Sequence, residues 1–394
     1  MGKFFFLLCL LAVQISLDSA TPYRGSLKKI SVVFRHGDRL PEPPPLGYYP
    51  NDPYLNTSFY PLHAGDLTNS GKRREFQIGR SLRKRYNEFL GPYYDPTELS
   101  ATSTDFTRTK MSLLMVLAGL YPPKDKQVWM DEIDWQPIPF FTMPHEVNAF
   151  LRPTDCLAYQ KERDRVQQSA EYHKDLLQFG DLMKNLTVLM GREVNDTKAI
   201  FHLFHTLMAE REMGLELPEW TKFYFPNGPV IGATVFHYRA ESYSPLMKKL
   251  HGGTFLRKML NDLSIDDIKK TPKIHLYSAH ENNLAGILIA MDSWWNFIPE
   301  YSSAIVFELH EVESQYYIQV VYYYGIPTEF EELIIPGCDQ PMCPLEEFLD
   351  LMADVMPDDI LEACLGKPEE SLFIPKDGDL PKWFYSKMRK WFNL

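Results

Sequence analysis

The chain has 394 residues, 45% of them apolar and 24% charged, which supplies a large core and excludes an intrinsically disordered chain. A formal net charge of −11 argues against non-specific nucleic-acid binding, so an anionic substrate has to meet a local basic site. No stretch reaches the roughly 18 uninterrupted apolar residues of a membrane helix, so the mature chain is expected to have no membrane segment.

The first element is a short apolar run, Met1-Gly-Lys-Phe-Phe-Phe-Leu-Leu-Cys-Leu-Leu-Ala-Val, closing on small residues near Ala20. It reads as a secretory signal over residues 1–20. Lys29-Ile-Ser-Val-Val-Phe34 follows as a buried strand that delivers Arg35-His-Gly-Asp-Arg39 at its C-terminal end, where open α/β sheets place ligands. A proline-rich loop comes next. Thr68 then caps a helix in which Phe76, Leu82, Tyr86 and Phe89 recur, with Lys72, Arg73, Arg74, Arg80, Arg83, Lys84 and Arg85 on its solvated face. Leu99-Ser-Ala-Thr-Ser103 is a second strand, and Arg108 falls in the first turn of the apolar helix after it, near that helix's positive end.

From about 131 to 269 the texture changes to polar helical segments without strand alternation, which predicts a smaller, mostly helical domain inserted into an α/β domain formed by residues 21–130 and 270–394. The α/β pattern resumes at Lys273-Ile-His-Leu-Tyr-Ser278, which runs into Ala279-His-Glu-Asn-Asn283 and an apolar helix. Ala304–His310 and Tyr316–Tyr324 alternate around a short polar link, predicting an antiparallel hairpin that makes the sheet mixed.

Once Cys9 leaves with the signal, Cys156, Cys338, Cys343 and Cys364 remain, and an even count in a secreted chain points to two disulfides. Of the three pairings, Cys338 with Cys343 across the turn-rich Asp-Gln-Pro-Met is favoured, leaving Cys156 with Cys364. Asn56, Asn185 and Asn195 each open an Asn-X-Thr/Ser acceptor pattern for glycans.

The chemistry concentrates in Arg35-His36-Gly37-Asp38-Arg39. Two planar guanidinium forks around one imidazole suit phosphate oxygens, and a cationic neighbourhood favours the neutral imidazole that can attack. Gly37 is expected to let an anion approach the backbone. His202 and His205 share a helical face but lack a third ligand, and His280-Glu-Asn-Asn lacks the second His of a zinc-protease helix. No metal site is predicted. The aromatic residues belong first to the core, with an aryl-binding pocket wall as a lesser role.

Taken together, Arg35-His-Gly-Asp-Arg39, Arg108 in Ser-Thr-Asp-Phe-Thr-Arg-Thr, and Ser278-Ala-His-Glu281 resemble the histidine acid phosphatases, and among them the insect venom acid phosphatases. The likeness runs over nearly the whole mature chain, including Tyr-Pro-Pro near 121, Glu-Tyr-Ser-Ser near 300 and Pro-Gly-Cys near 336. It implies a phosphoglycerate mutase-like α/β fold, a mixed central sheet flanked by helices, and a secreted or lysosomal enzyme that hydrolyses small phosphate monoesters without a cofactor. It further implies His36 as the nucleophile of a phosphohistidine intermediate, Arg35, Arg39, Arg108 and His280 as phosphate-binding residues, and Glu281 as the proton donor to the leaving group. Most of that family has Asp where Glu281 stands, which moves the carboxyl by about 1.5 Å. A homodimer is compatible with the resemblance. Two other readings are an inositol-polyphosphate phosphatase of the same superfamily, which calls for more Lys and Arg around the pocket, and a secreted binding or toxin-like protein with a vestigial site.

Overall fold

The computed structural model describes residues 26–143, 148–265, 268, 271–325 and 330–365; the signal over 1–20 and the tail beyond 365 lie outside the described residues. β1 (Leu27–Arg35) alternates so that Ile30, Val32 and Phe34 enter one apolar cluster and Val33 the opposite one. A strand apolar on both sides belongs between two helical layers. α1 (Asn69–Leu90) starts at Thr68, whose Oγ1 accepts from Gly71 N–H at 3.1 Å and donates to the Asp38 carbonyl. Its buried stripe is Gly71, Glu75, Ile78, Leu82, Tyr86 and Leu90, so Phe76 and Phe89 flank the buried face rather than define it.

Two of the seven cations of α1 form ion pairs with carboxylates from elsewhere in the fold. Arg74 pairs with Asp38 and Glu212, each at 3.2 Å, and Arg85 pairs with Glu308 at 2.9 Å beside the Tyr86 hydroxyl. The reason is that Asp38 and Glu308 are buried and a buried carboxylate requires a counter-charge.

β2 (Leu99–Ser103) and α2 (Thr107–Leu120) follow as expected. β3 (Phe141–Thr142) is a two-residue strand inside the stretch predicted to lack strands; at that length it leaves no periodic signal. Next come α3 (Leu157–Gln167), α4 (Ala170–Leu176), α5 (Gly180–Met190), α6 (Thr197–Glu212), α7 (Thr221–Tyr224), α8 (Pro229–Ala240) and α9 (Pro245–Lys248), then a π-helical turn Lys249–Gly253 and α10 (Thr254–Asp262). β4 (Ile274–Ala279), α11 (Glu281–Ala290), β5 (Ala304–Val312), β6 (Gln315–Tyr323), β7 (Phe330–Leu333), β8 (Met342–Pro344), α12 (Leu345–Met352) and α13 (Ile360–Leu365) complete the order.

The strands form one mixed sheet in the order β3-β2-β4-β1-β5-β6-β7, with β8 on β6. β1, β2, β3 and β4 run parallel, and β5 returns antiparallel on β1. The sheet is covered on one face by α1 and α2 and on the other by α10, α11 and α12. Register aligns Phe34 with Ser278 and Ser103 with Ser278. His36, Thr104 and His280 therefore leave three adjacent strands at one edge.

The disulfides join Cys338 to Cys343, with an S–S distance of 2.06 Å, and Cys156 to Cys364. Asn56, Asn185 and Asn195 are all exposed.

A buried carboxyl pair ties the proline-rich loop to α6. Asp52 and Glu210 are both buried and hydrogen-bond to each other; burial first, then the charge of Asp52, pushes the Glu210 carboxyl up to about 9. Folded Glu210 thus holds its proton where the unfolded chain would release it, so stability is full below the ordinary carboxylate pKa and falls as pH rises toward 9. Glu210→Gln keeps a hydrogen bond to Asp52 at every pH. It is expected to raise Tm by roughly 2–4 °C, about 1 kcal/mol, at pH near 7.5 and to leave it unchanged near pH 4; a loss at both pH values in thermal melts would show that the pair contributes only shape.

Candidate active site

His36 is the first residue beyond β1 and is 1% exposed. Its Nδ1 lies 2.8 Å from the Gly37 carbonyl oxygen. A carbonyl only accepts, so Nδ1 carries the hydrogen, and in the neutral ring the lone pair is on Nε2. Burial first, then Arg108, His280 and Arg35, holds the His36 pKa well below the usual imidazole value, so the ring is neutral and nucleophilic even in mild acid. Gly37 is also required by packing: a Cβ there would lie 2.6 Å from the Gly71 carbonyl oxygen. Its missing side chain admits the first turn of α1 against the strand end.

A pocket of about 250 Å³ is lined by His36, Arg39, Arg108, His280 and Glu281. Arg39 is fixed by a bond from its guanidinium to the Leu40 carbonyl at 2.8 Å. Arg108 enters from the first turn of α2, stacks on Phe106 at 4.6 Å and pairs with Glu42 of the proline-rich loop at 3.0 Å. Burial lowers its pKa to about 10, so it remains cationic. His280 sits between β4 and α11, its backbone N–H donating to Asn283 Oδ1. Its Nε2 is 3.0 Å from Thr104 Oγ1; since Thr104 donates onward to Thr109, the imidazole is the donor.

Arg35 lies behind this layer, fully buried, and does not line the pocket. It stacks at 4.0 Å over Tyr301, donates to the Pro299 carbonyl at 2.6 Å, and approaches His205 Nδ1 at 3.4 Å. Its Nε is 3.1 Å from Glu281 Oε2. Burial alone would raise the Glu281 carboxyl, but Arg35, with His205 behind it, holds it well below the usual range. Glu281 is therefore a carboxylate here, at the first position of α11 where the helix dipole also favours negative charge.

Sequence reasoning missed several participants. Tyr301 lies in the Glu-Tyr-Ser-Ser motif, yet nothing in that motif announces a ring beneath Arg35. Glu75 is fully buried on α1, accepts from Ser302 Oγ at 2.7 Å and is raised well above the usual range by burial; its place on the same helical face as Ile78 and Leu82 was the available signal. Arg152 lines the pocket and is paired twice with Asp155, at 2.9 and 3.1 Å. His205 lies behind Glu281 and His202 faces the pocket; among the described residues no group of three or more His, Cys, Asp or Glu is arranged to hold a metal.

Glu42 opposes substrate phosphate for Arg108. Glu42→Gln is expected to strengthen competitive inhibition by inorganic phosphate about fivefold, roughly 1 kcal/mol for a partly exposed pair. Weaker inhibition would instead mark Glu42 as the residue that aims Arg108.

A buried imidazole with its lone pair turned into an arginine-lined pocket, beside a carboxyl at a helix start, is the arrangement of a phosphoryl-transfer site. Residues 26–323 match the histidine phosphatase superfamily (branch 2), and the chain belongs to that family. It is 45% identical to venom acid phosphatase Acph-1 of Apis mellifera over 85% of this chain and 86% of the relative, and 30% identical to human prostatic acid phosphatase over 86% and 88%. Among solved structures, a Klebsiella sp ASR1 phytase superposes with a TM-score of 0.64 at 14% identity, covering 85% of this chain and 98% of the phytase, which supports the fold.

Proposed function

We propose that the protein is a secreted acid phosphatase that hydrolyses small phosphate monoesters through a phosphohistidine at His36. The observation that carries this reading is the Nδ1 contact of His36 with the Gly37 carbonyl, which turns the Nε2 lone pair to a pocket bearing Arg39 and Arg108. Nε2 attacks phosphorus as the P–O ester bond breaks, and the equatorial oxygens, whose charge must be held through the transition state, lie against Arg39 and Arg108, while His280, its Nε2–H given to Thr104, forms part of the pocket wall. Glu281, a carboxylate in the resting site, relays to the leaving alkoxide the proton that the monoanionic ester brings. Water then cleaves the P–N bond, its proton passing by way of Glu281 to the departing phosphate, which restores His36 and the carboxylate. Arg35 acts on this sequence through Glu281 and not by touching substrate.

Two disulfides, three exposed glycan acceptor sites and the venom and prostatic relatives support an extracytoplasmic setting. The inositol-polyphosphate reading is disfavoured by the pocket's own pairs: Arg108 is paired with Glu42 and Arg152 with Asp155, so two of its three arginines are already balanced by carboxylates. The test is hydrolysis of p-nitrophenyl phosphate from about pH 4 to 8 with chelator present. Chelator-resistant turnover, strongest in acid, is expected; no turnover by folded protein would favour the vestigial binding protein.

A further inference from the structure

Part of the pocket lining has no task in phosphoryl transfer. His202 Nε2, His251 Nε2 and Asn282 Oδ1 are buried atoms without a hydrogen-bond partner in the protein, and all three residues line the same pocket as His36. His251 is placed by the π-helical turn Lys249–Gly253, a distortion that frequently accompanies functional positions. Its Nδ1 is satisfied by Ser242 Oγ at 2.8 Å, and its ring lies against Gly286, where a Cβ would come within 2.8 Å of it. The turn and the glycine thus fix the ring with Nε2 uncommitted.

These groups are uncharged. Burial first, then Lys198 and Arg39, brings His202 down to about 4, and burial brings His251 down to about 4. Beneath them Glu241 Oε2 lies 4.0 Å from His251 Nε2 and Glu241 Oε1 3.7 Å from His237 Nε2; burial raises that carboxyl to about 8, so this floor is neutral in acid. Neutral donors and acceptors match hydroxyl groups, whereas a second phosphoryl group would need cations. The same pocket offers the apolar faces of Phe106 and Phe201, suited to the C–H faces of a sugar or polyol chain.

We propose that His202, His251 and Asn282 form a leaving-group subsite for the polyol or sugar part of a singly phosphorylated alcohol. The inference rests on the phosphatase reading and specifies its substrate class. Water serves uncommitted polar atoms in a wet pocket; hydroxyls that displace it reproduce its hydrogen bonds, and an alkyl chain leaves them unmade. A site built on such bonds rejects the analogue that lacks them more strongly than an apolar pocket rejects a missing methylene.

The experiment compares kcat/KM for sorbitol 6-phosphate and hexyl phosphate, matched in chain length, in the wild type, His202→Leu and His251→Gln, with p-nitrophenyl phosphate as the reference substrate. A preference for the polyol of about tenfold or more is expected in the wild type, falling to about threefold or less in His202→Leu. His251→Gln keeps a hydrogen-bonding end and is expected to fall between them; if it does not fold, His202→Leu decides alone. Equal kcat/KM values in the wild type, or a preference that His202→Leu leaves intact, would overturn the subsite while p-nitrophenyl phosphate is still turned over. Loss of turnover on all three substrates in the wild type would instead overturn the phosphatase reading itself.

Discussion

His36→Ala is expected to reduce kcat/KM for any phosphate monoester by about 10⁴-fold or more, because removing the nucleophile removes the covalent path itself and leaves only binding and charge stabilisation. The fold should survive. The side chain's hydrogen bond is to the carbonyl of the next residue, so truncation breaks no long-range tie, and the cavity left behind costs on the order of 2 kcal/mol. Arg39 and Arg108 remain to bind phosphate. The decisive comparison is turnover and rapid-quench labelling with radioactive substrate, alongside thermal melts. A folded variant that still forms a labelled phosphoenzyme would remove His36 from the mechanism.

Glu281→Gln is expected to lower kcat/KM by about 10²–10⁴-fold for alkyl phosphates and by much less for p-nitrophenyl phosphate, whose leaving group departs without help from an acid. The asymmetry follows from geometry. Arg35 holds the carboxyl ionised in the resting site, so the proton has to arrive with the substrate, as the monoanionic ester. Since a phosphate monoester loses its second proton near pH 6, kcat/KM for wild-type enzyme should fall above about that pH. This limb is set by the substrate, and an ester with a lower second pKa should shift it downward. Equal losses on both substrate types would reduce Glu281 to a partner for Arg35.

The five longest strands and the five pocket residues were legible because their signals are local, whereas β3, β7 and β8, at two to four residues, left no periodic signal. An apolar strand ending in Arg35-His-Gly-Asp-Arg39, a polar residue set at the end of β4 and an arginine in the first turn of α2 each occupy a few consecutive positions. What could not be read was the layer that joins them. Arg35 carries the same guanidinium as Arg39, yet it ends the strand with its side chain under Tyr301 and against Glu281, and only the packed structure separates a guanidinium that meets solvent from one that meets a carboxylate. Arg74 and Arg85 were misread for the same reason: their partners Asp38 and Glu308 lie about 36 and 223 residues away along the chain. His251 was hidden differently, because the π turn that carries it departs from the 3.6-residue period on which helix reading depends.

The strand order carries a consequence for how the protein is made. β4 lies between β1 and β2, and β5, the other neighbour of β1, comes later still in the chain. A nascent polypeptide that has emerged as far as residue 273 therefore has β1 without either of its neighbours and β2 with only the two-residue β3 beside it, an exposure that favours aggregation. His36 and Arg108 wait with them. The ribosome must deliver Ile274–Ala279 before the sheet can close, and the same six residues bring His280 and Glu281 to the site. Catalytic competence and the closing of the sheet are thus one event, and a product of premature termination before residue 274 should be a client of the quality-control machinery rather than a weak enzyme.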